Sequence, residues 1–173
     1  QLSGVTLASG VRAFKGIPFA APPLGNLRWR PAQPPAKWEG VRRADTFGNV
    51  CTQPKGRGRL NVSVDLPDSP QAGEDCLYLN VWTAAASASE RRPVMVWIFG
   101  GAYTEGAGSS PHNDGEALAR KGVVSVSVNY RLGPFGFFSH PELTRESGKN
   151  ASGNQAMSDN IAALWWVQKN IAA

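Results

Sequence analysis

Two cysteines and two histidines are all that this 173-residue chain contains of either type. No His stands at ligand spacing from the thiols, so a structural metal site is not indicated. Apolar runs such as Val94 to Phe99 fall far short of the ~20 residues that a helical membrane span requires. No Gly-x-Ser-x-Gly pentapeptide occurs around any serine, which removes the commonest strand-to-helix nucleophile motif. No Met and no apolar leader opens the chain, and Gln1 is therefore expected to be a processed or trimmed end.

Cations exceed anions, 18 Lys plus Arg against 13 Asp plus Glu, for a net charge of +5. They are scattered in small groups: Arg28 and Arg30, Arg42 and Arg43, Arg91 and Arg92. The densest group, Lys55, Arg57 and Arg59, is interleaved with glycines. No basic helix, zinc spacing or aromatic RNA-binding motif accompanies it, so a solvated surface is expected and a nucleic-acid partner is not.

Cys51 and Cys76 leave two readings open, free core thiols or one disulfide. The segment between them holds Pro54, Gly56, Gly58, Pro67, Pro70 and Gly73, and cannot brace itself with regular structure. A bridge there would stabilise by about 3.5 kcal/mol in the chain-entropy account. It would also place the protein in an oxidising compartment, secreted or periplasmic. Asn61-Val62-Ser63 and Asn150-Ala151-Ser152 fit the N-glycosylation pattern, which chance also produces.

What the chain does have is apolar material, at 42% hydrophobic residues. That is enough to offset the cost of ordering the backbone, so intrinsic disorder is excluded. A chain of this length can bury about 70% of its unfolded surface, which by itself suggests one domain. Val5 to Leu7 and Val11 to Phe14 flank Ala8-Ser9-Gly10 as a short hairpin. Gly16 to Pro35 is proline-rich and reads as an extended, packed segment. Leu77, Leu79 and Val81 alternate with Tyr78, Asn80 and Trp82 at strand period.

Val94 to Phe99 reads as a strand covered on both faces, followed directly by Gly100-Gly101-Ala102. Residues 113 to 121 suit a helix, Val123 to Tyr130 a strand, and 131 to 153 a long loop. From about Asn154, an apolar stripe of Met157, Ile161, Leu164, Trp165 and Ile171 marks a helix. Strand, helix, strand, helix is the order of a parallel α/β sheet. Only two buried parallel strands are expected, however, and the last helix reaches Ala172-Ala173 without a glycine cap. Residues 1–173 are thus expected to be one part of a larger domain.

Several stretches carry a family resemblance. They are Phe14-Lys15-Gly16-Ile17-Pro18-Phe19-Ala20, Pro22-Pro23-Leu24-Gly25-Asn26-Leu27-Arg28-Trp29 and Glu74-Asp75-Cys76-Leu77-Tyr78-Leu79-Asn80-Val81-Trp82. Asn129-Tyr130-Arg131-Leu132-Gly133 and the helix from Gly153-Asn154-Gln155 continue it in order. Together they resemble the N-terminal third of type-B carboxylesterases, the α/β-hydrolase branch that includes cholinesterases. The resemblance implies the N-terminal portion of an α/β-hydrolase fold: small antiparallel N-terminal strands, then a mostly parallel central sheet with helices. It implies hydrolysis of a small-molecule ester through a serine acyl-enzyme, with no cofactor. It places the nucleophile, acid and histidine outside this chain, in a C-terminal remainder that is either lost or held as a nicked second chain.

On the same ground, Gly100-Gly101-Ala102 matches the oxyanion loop. The amides of Gly101 and Ala102 are its implied donors, with Gly100 shaping the turn. Fixed backbone N–H groups stabilise a tetrahedral oxyanion without reorganising. Cys51 and Cys76 match the family's first disulfide. Arg28 and Glu74 are the implied ion pair at the base of that loop, and Arg131 and Asp159 are further polar anchors. Residues 52 to 75 lack any aromatic that could hold a quaternary ammonium, so a choline-ester specialist is not expected. The cations Lys55, Arg57 and Arg59 leave an anionic substrate open against plain solvation. His112 and His140, each beside a proline, match no catalytic position, and Ser125 and Ser127 are expected to satisfy backbone groups locally. The competing reading is a cholinesterase-like adhesion homologue, the same fold without a working nucleophile.

Overall fold

The computed structural model describes residues 1–54 and 71–172. Lys55, Arg57, Arg59 and Asn61 lie outside the described residues. The strands are β1 (Leu2–Ser3), β2 (Val5–Thr6), β3 (Arg12–Pro18), β4 (Arg42–Arg43), β5 (Val50–Cys51), β6 (Ala72–Gly73), β7 (Tyr78–Thr83), β8 (Val94–Ile98) and β9 (Val124–Val128). The helices are α1 (Glu116–Arg120), α2 (Gly133–Phe137), α3 (Pro141–Glu146) and α4 (Gln155–Asn170).

Five strands form the main sheet in the order β2-β3-β7-β9-β8. The β2–β3 hairpin closes through Ala8-Ser9-Gly10, where the Gly10 amide donates to the Leu7 carbonyl at 2.9 Å. Pairing is antiparallel from β2 through β9, and β8 then joins β9 in parallel. The β3–β7 register shifts between Phe14 and Ile17. Gly16 sits in that shift at φ 66°, where an added Cβ would lie 2.5 Å from the Thr46 carbonyl oxygen. Glycine is required there by both conformation and space.

One core lies between the sheet and α4, built from Ile17, Leu77, Leu79, Val81, Val126, Val128, Tyr130, Leu132, Ala156, Ala163 and Val167. The helix face turned to this core is not the expected stripe. Met157, Ile161, Leu164 and Trp165 are exposed, while Ala156, Asp159, Ala163 and Val167 are buried. Small side chains let α4 pack closely on α2, where an added Cβ on Gly136 would lie 3.1 Å from the Ala156 Cβ. β8 also departs from expectation. Its apolar residues are largely exposed, because little among the described residues covers the faces of this edge strand. The 131–153 segment contains α2 and α3, each with Pro at its first turn, where a missing N–H costs nothing.

A buried ion pair fastens these layers. Arg131 leaves the end of β9 and meets Asp159 of α4, Nη2 to Oδ1 at 2.7 Å and Nε to Oδ2 at 2.8 Å. The Arg131 amide donates to the same carboxylate at 3.0 Å. Arg131 Nη2 also reaches the Arg30 carbonyl at 2.9 Å, pinning the proline-rich segment. That segment is held again by the Ala32 amide on Ser158 Oγ and by Gln155 Nε2 on the Trp29 carbonyl. Irregular backbone thus finds the hydrogen bonds it cannot make internally.

Candidate active site

The carboxyl end of β8, beside its parallel neighbour, is where α/β folds place chemistry. Phe99 dives into the core there, with its ring stacked on Tyr130 at 4.6 Å between centroids. The Tyr130 hydroxyl donates to the Phe99 carbonyl at 2.8 Å. Burial pushes the Tyr130 phenol upward from its ordinary range, and nearby Tyr103 adds to the shift. The group therefore stays protonated and able to donate.

The next residues reverse direction through uncommon backbone. Gly101 lies at φ 143°, Ala102 at 51° and Tyr103 at 62°. An added Cβ on Gly101 would come within 1.9 Å of the Glu105 carbonyl oxygen. Two successive non-glycine residues in the left-handed region carry strain of about 1 kcal/mol or more each, maintained only by surrounding bonds. Those bonds are present. The Thr104 and Glu105 amides donate to the Gly101 carbonyl at 3.0 and 3.2 Å, and the Gly133 amide to the Tyr103 carbonyl at 2.7 Å. Carbonyls are thereby engaged, while no hydrogen bond among the described residues occupies the amides of Gly101 or Ala102. Gly101 is buried, and Ala102 and Tyr103 are exposed at the loop's crest.

Past the crest the chain returns beneath β9. The Gly108 amide donates to Asn129 Oδ1 at 2.8 Å, and the Ser127 hydroxyl donates to the Gly108 carbonyl at 2.7 Å. Ser127 thus serves a loop distant in sequence, not its own strand. Asn129 Nδ2 turns the other way, to the carbonyls of Asn49 and Cys76.

Cys51 and Cys76 are joined as a disulfide, with their Cα atoms 4.9 Å apart. At its base, Arg28 grips Glu74 with two bonds, Nε–Oε2 at 2.5 Å and Nη2–Oε1 at 2.6 Å. The hydrogen bond and charge of Glu74 raise the pKa of the Arg28 guanidinium. His140 caps α3, its Nδ1 accepting from the Glu142 amide at 3.3 Å. His112 is exposed in a short turn. Asn150 is exposed at φ 51°. Sequence reasoning passed over Gln53, because a polar side chain that bonds distant backbone leaves no periodic signal. Asn129 and Tyr130 stood in a matching stretch, which did not show what their side chains bond.

Fold and loop together define the N-terminal portion of an α/β-hydrolase. The chain belongs to the carboxylesterase family, whose model matches residues 1–173. It is 48% identical to a fumonisin B1 esterase of Sphingopyxis macrogoltabida over 163 residues, covering 93% of this chain and 29% of the relative. It is 45% identical to a para-nitrobenzyl esterase of Bacillus subtilis (strain 168), covering 97% and 33%. A Geobacillus stearothermophilus carboxylesterase structure superposes with a TM-score of 0.84 at 42% identity, over 99% of this chain and 33% of that one. The chain therefore spans about a third of the length of the relatives it matches.

Proposed function

We propose that this chain supplies the oxyanion-stabilising part of a serine carboxylesterase acting on small-molecule esters. The observation that carries the reading is the turn after β8. Gly101 and Ala102 are fixed in left-handed or glycine-only backbone, flanked by the braced carbonyls of Gly101 and Tyr103, with their own amides left unengaged among the described residues. Two such donors stabilise the charge that develops on a carbonyl oxygen under attack. Gly100 leads the chain from β8 into this turn.

The nucleophile, acid and histidine are then supplied from outside residues 1–173. That remainder of the same domain pairs with the free edge of β8 and covers the apolar face of α4, whether continuous with this chain or nicked from it. The bridged Cys51–Cys76 pair supports a secreted or periplasmic location.

The test uses the intact protein that carries this chain. It should hydrolyse p-nitrophenyl esters and be blocked by an organophosphate, with the label mapping outside residues 1–173. Failure to turn over or take the label would favour an adhesion homologue. Intact mass of the purified material separates a continuous chain from a nicked one.

A further inference from the structure

Gln53 stands two residues past Cys51, on no recognised motif, yet it reaches across to the returning limb of the β8 loop. Its Nε2 donates to the Gly106 carbonyl at 3.0 Å, and its Oε1 accepts from the Gly106 amide at 2.9 Å. Both polar groups of one peptide residue are thus held by one side-chain amide, in the geometry that a neighbouring strand would offer. The same Nε2 also donates to the Cys51 carbonyl at 3.0 Å, which roots the side chain beside the disulfide.

Gly106 is a sensitive place to hold. It lies at φ 122°, with an added Cβ placed 2.5 Å from the Phe99 ring. Gly101 is tied to the same limb, since the Glu105 amide bonds its carbonyl at 3.2 Å. A shift of Gly106 is therefore passed through one peptide to Gly101, where there is no slack: an added Cβ would already collide with the Glu105 carbonyl.

We infer that Gln53 is a positioning residue for the oxyanion loop, fixing the direction of the Gly101 and Ala102 amides from the disulfide-bridged segment. This rests on the esterase reading above. Donors misaimed by a fraction of an ångström lose transition-state stabilisation while leaving ground-state binding in place.

In the intact protein, Gln53→Met keeps length and volume but removes both bonds. Turnover of p-nitrophenyl acetate, normalised to sites titrated with an organophosphate, should fall about tenfold in kcat, with KM changed less than about twofold. Affinity for a trifluoromethyl ketone, which mimics the tetrahedral adduct, should fall by the same factor. Amide hydrogen exchange at Thr104–Gly106 should rise about tenfold, while Val124–Val128 stays protected. A per-site kcat within about twofold of the parent overturns the inference. So does a variant that loses β9 protection together with the loop, which would make Gln53 a general structural residue. A parent protein that neither turns over esters nor takes the label defeats the esterase reading instead. The exchange arm still decides whether Gln53 holds the loop.

Discussion

β9 and β8 are parallel neighbours with opposite relations between composition and burial. β9 reads Val-Ser-Val-Ser-Val, and all five residues are buried. β8 reads Val-Met-Val-Trp-Ile, and four of its five residues are exposed. Burial of a strand is conferred by what lies beside and across it, not by its own polarity. β9 has β7 on one side and β8 on the other, and its serine at 127 is accepted because Asn80 Nδ2 and the Gly108 carbonyl complete it. A polar residue fully satisfied in the core costs little, whereas an apolar one without a neighbour has nowhere to go. The exposed face of β8 is in turn the kind of patch that marks an interaction surface.

The largest effect expected from this contrast is at the anchor that ends β9. Asp159→Ala leaves the Arg131 guanidinium buried without its carboxylate, which should cost about 3–5 kcal/mol in urea unfolding. Next comes apolar volume. Val126→Ala at the centre of β9 should cost about 2 kcal/mol through lost contacts and the cavity left behind. Val94→Ala on β8 should stay within about 0.5 kcal/mol. Equal costs at the two positions would break the comparison. Ser127→Ala should fall between them, at about 1–2 kcal/mol, since it strands the Gly108 carbonyl and one Asn80 hydrogen.

Much of the architecture was legible from periodicity. Alternation at Leu77, Leu79 and Val81 located β7, the β-branched run located β9, and Ala8-Ser9-Gly10 marked the first hairpin. Environment was harder to read than existence. The β8 run looked doubly covered because composition reports what a strand prefers and is blind to its neighbours. On α4 the bulky residues Met157, Ile161, Leu164 and Trp165 overshadowed Ala156 and Ala163, which are buried, Ala156 against Gly136 of α2. Gly133-Pro134 and His140-Pro141 read as loop, though proline at the first turn starts α2 and α3. In the site, Gly101 showed in the sequence because backbone at φ 143° demands glycine. Gln53 did not, since any polar side chain could in principle reach a distant amide.

The smallest effect on stability should come with the clearest effect on association. Trp97 on β8 is 47% exposed and its indole N–H donates to Asn113 Oδ1 at 2.8 Å, a bond at the surface. Its cross-strand partner is Ser127, on the buried side of the pair. Trp97→Lys removes an exposed apolar ring and places a charge on an edge whose N–H and C=O groups are open to pairing. The core beneath is untouched, so urea unfolding of the 173-residue chain should shift by no more than about 0.5 kcal/mol. Light scattering should nevertheless show less self-association than the parent, because a lysine on an edge strand opposes edge-to-edge pairing. A large loss of stability would mean that Trp97 belongs to the core that β9 occupies. Unchanged association would mean that the exposed face of α4, not the edge of β8, is where copies of the chain meet.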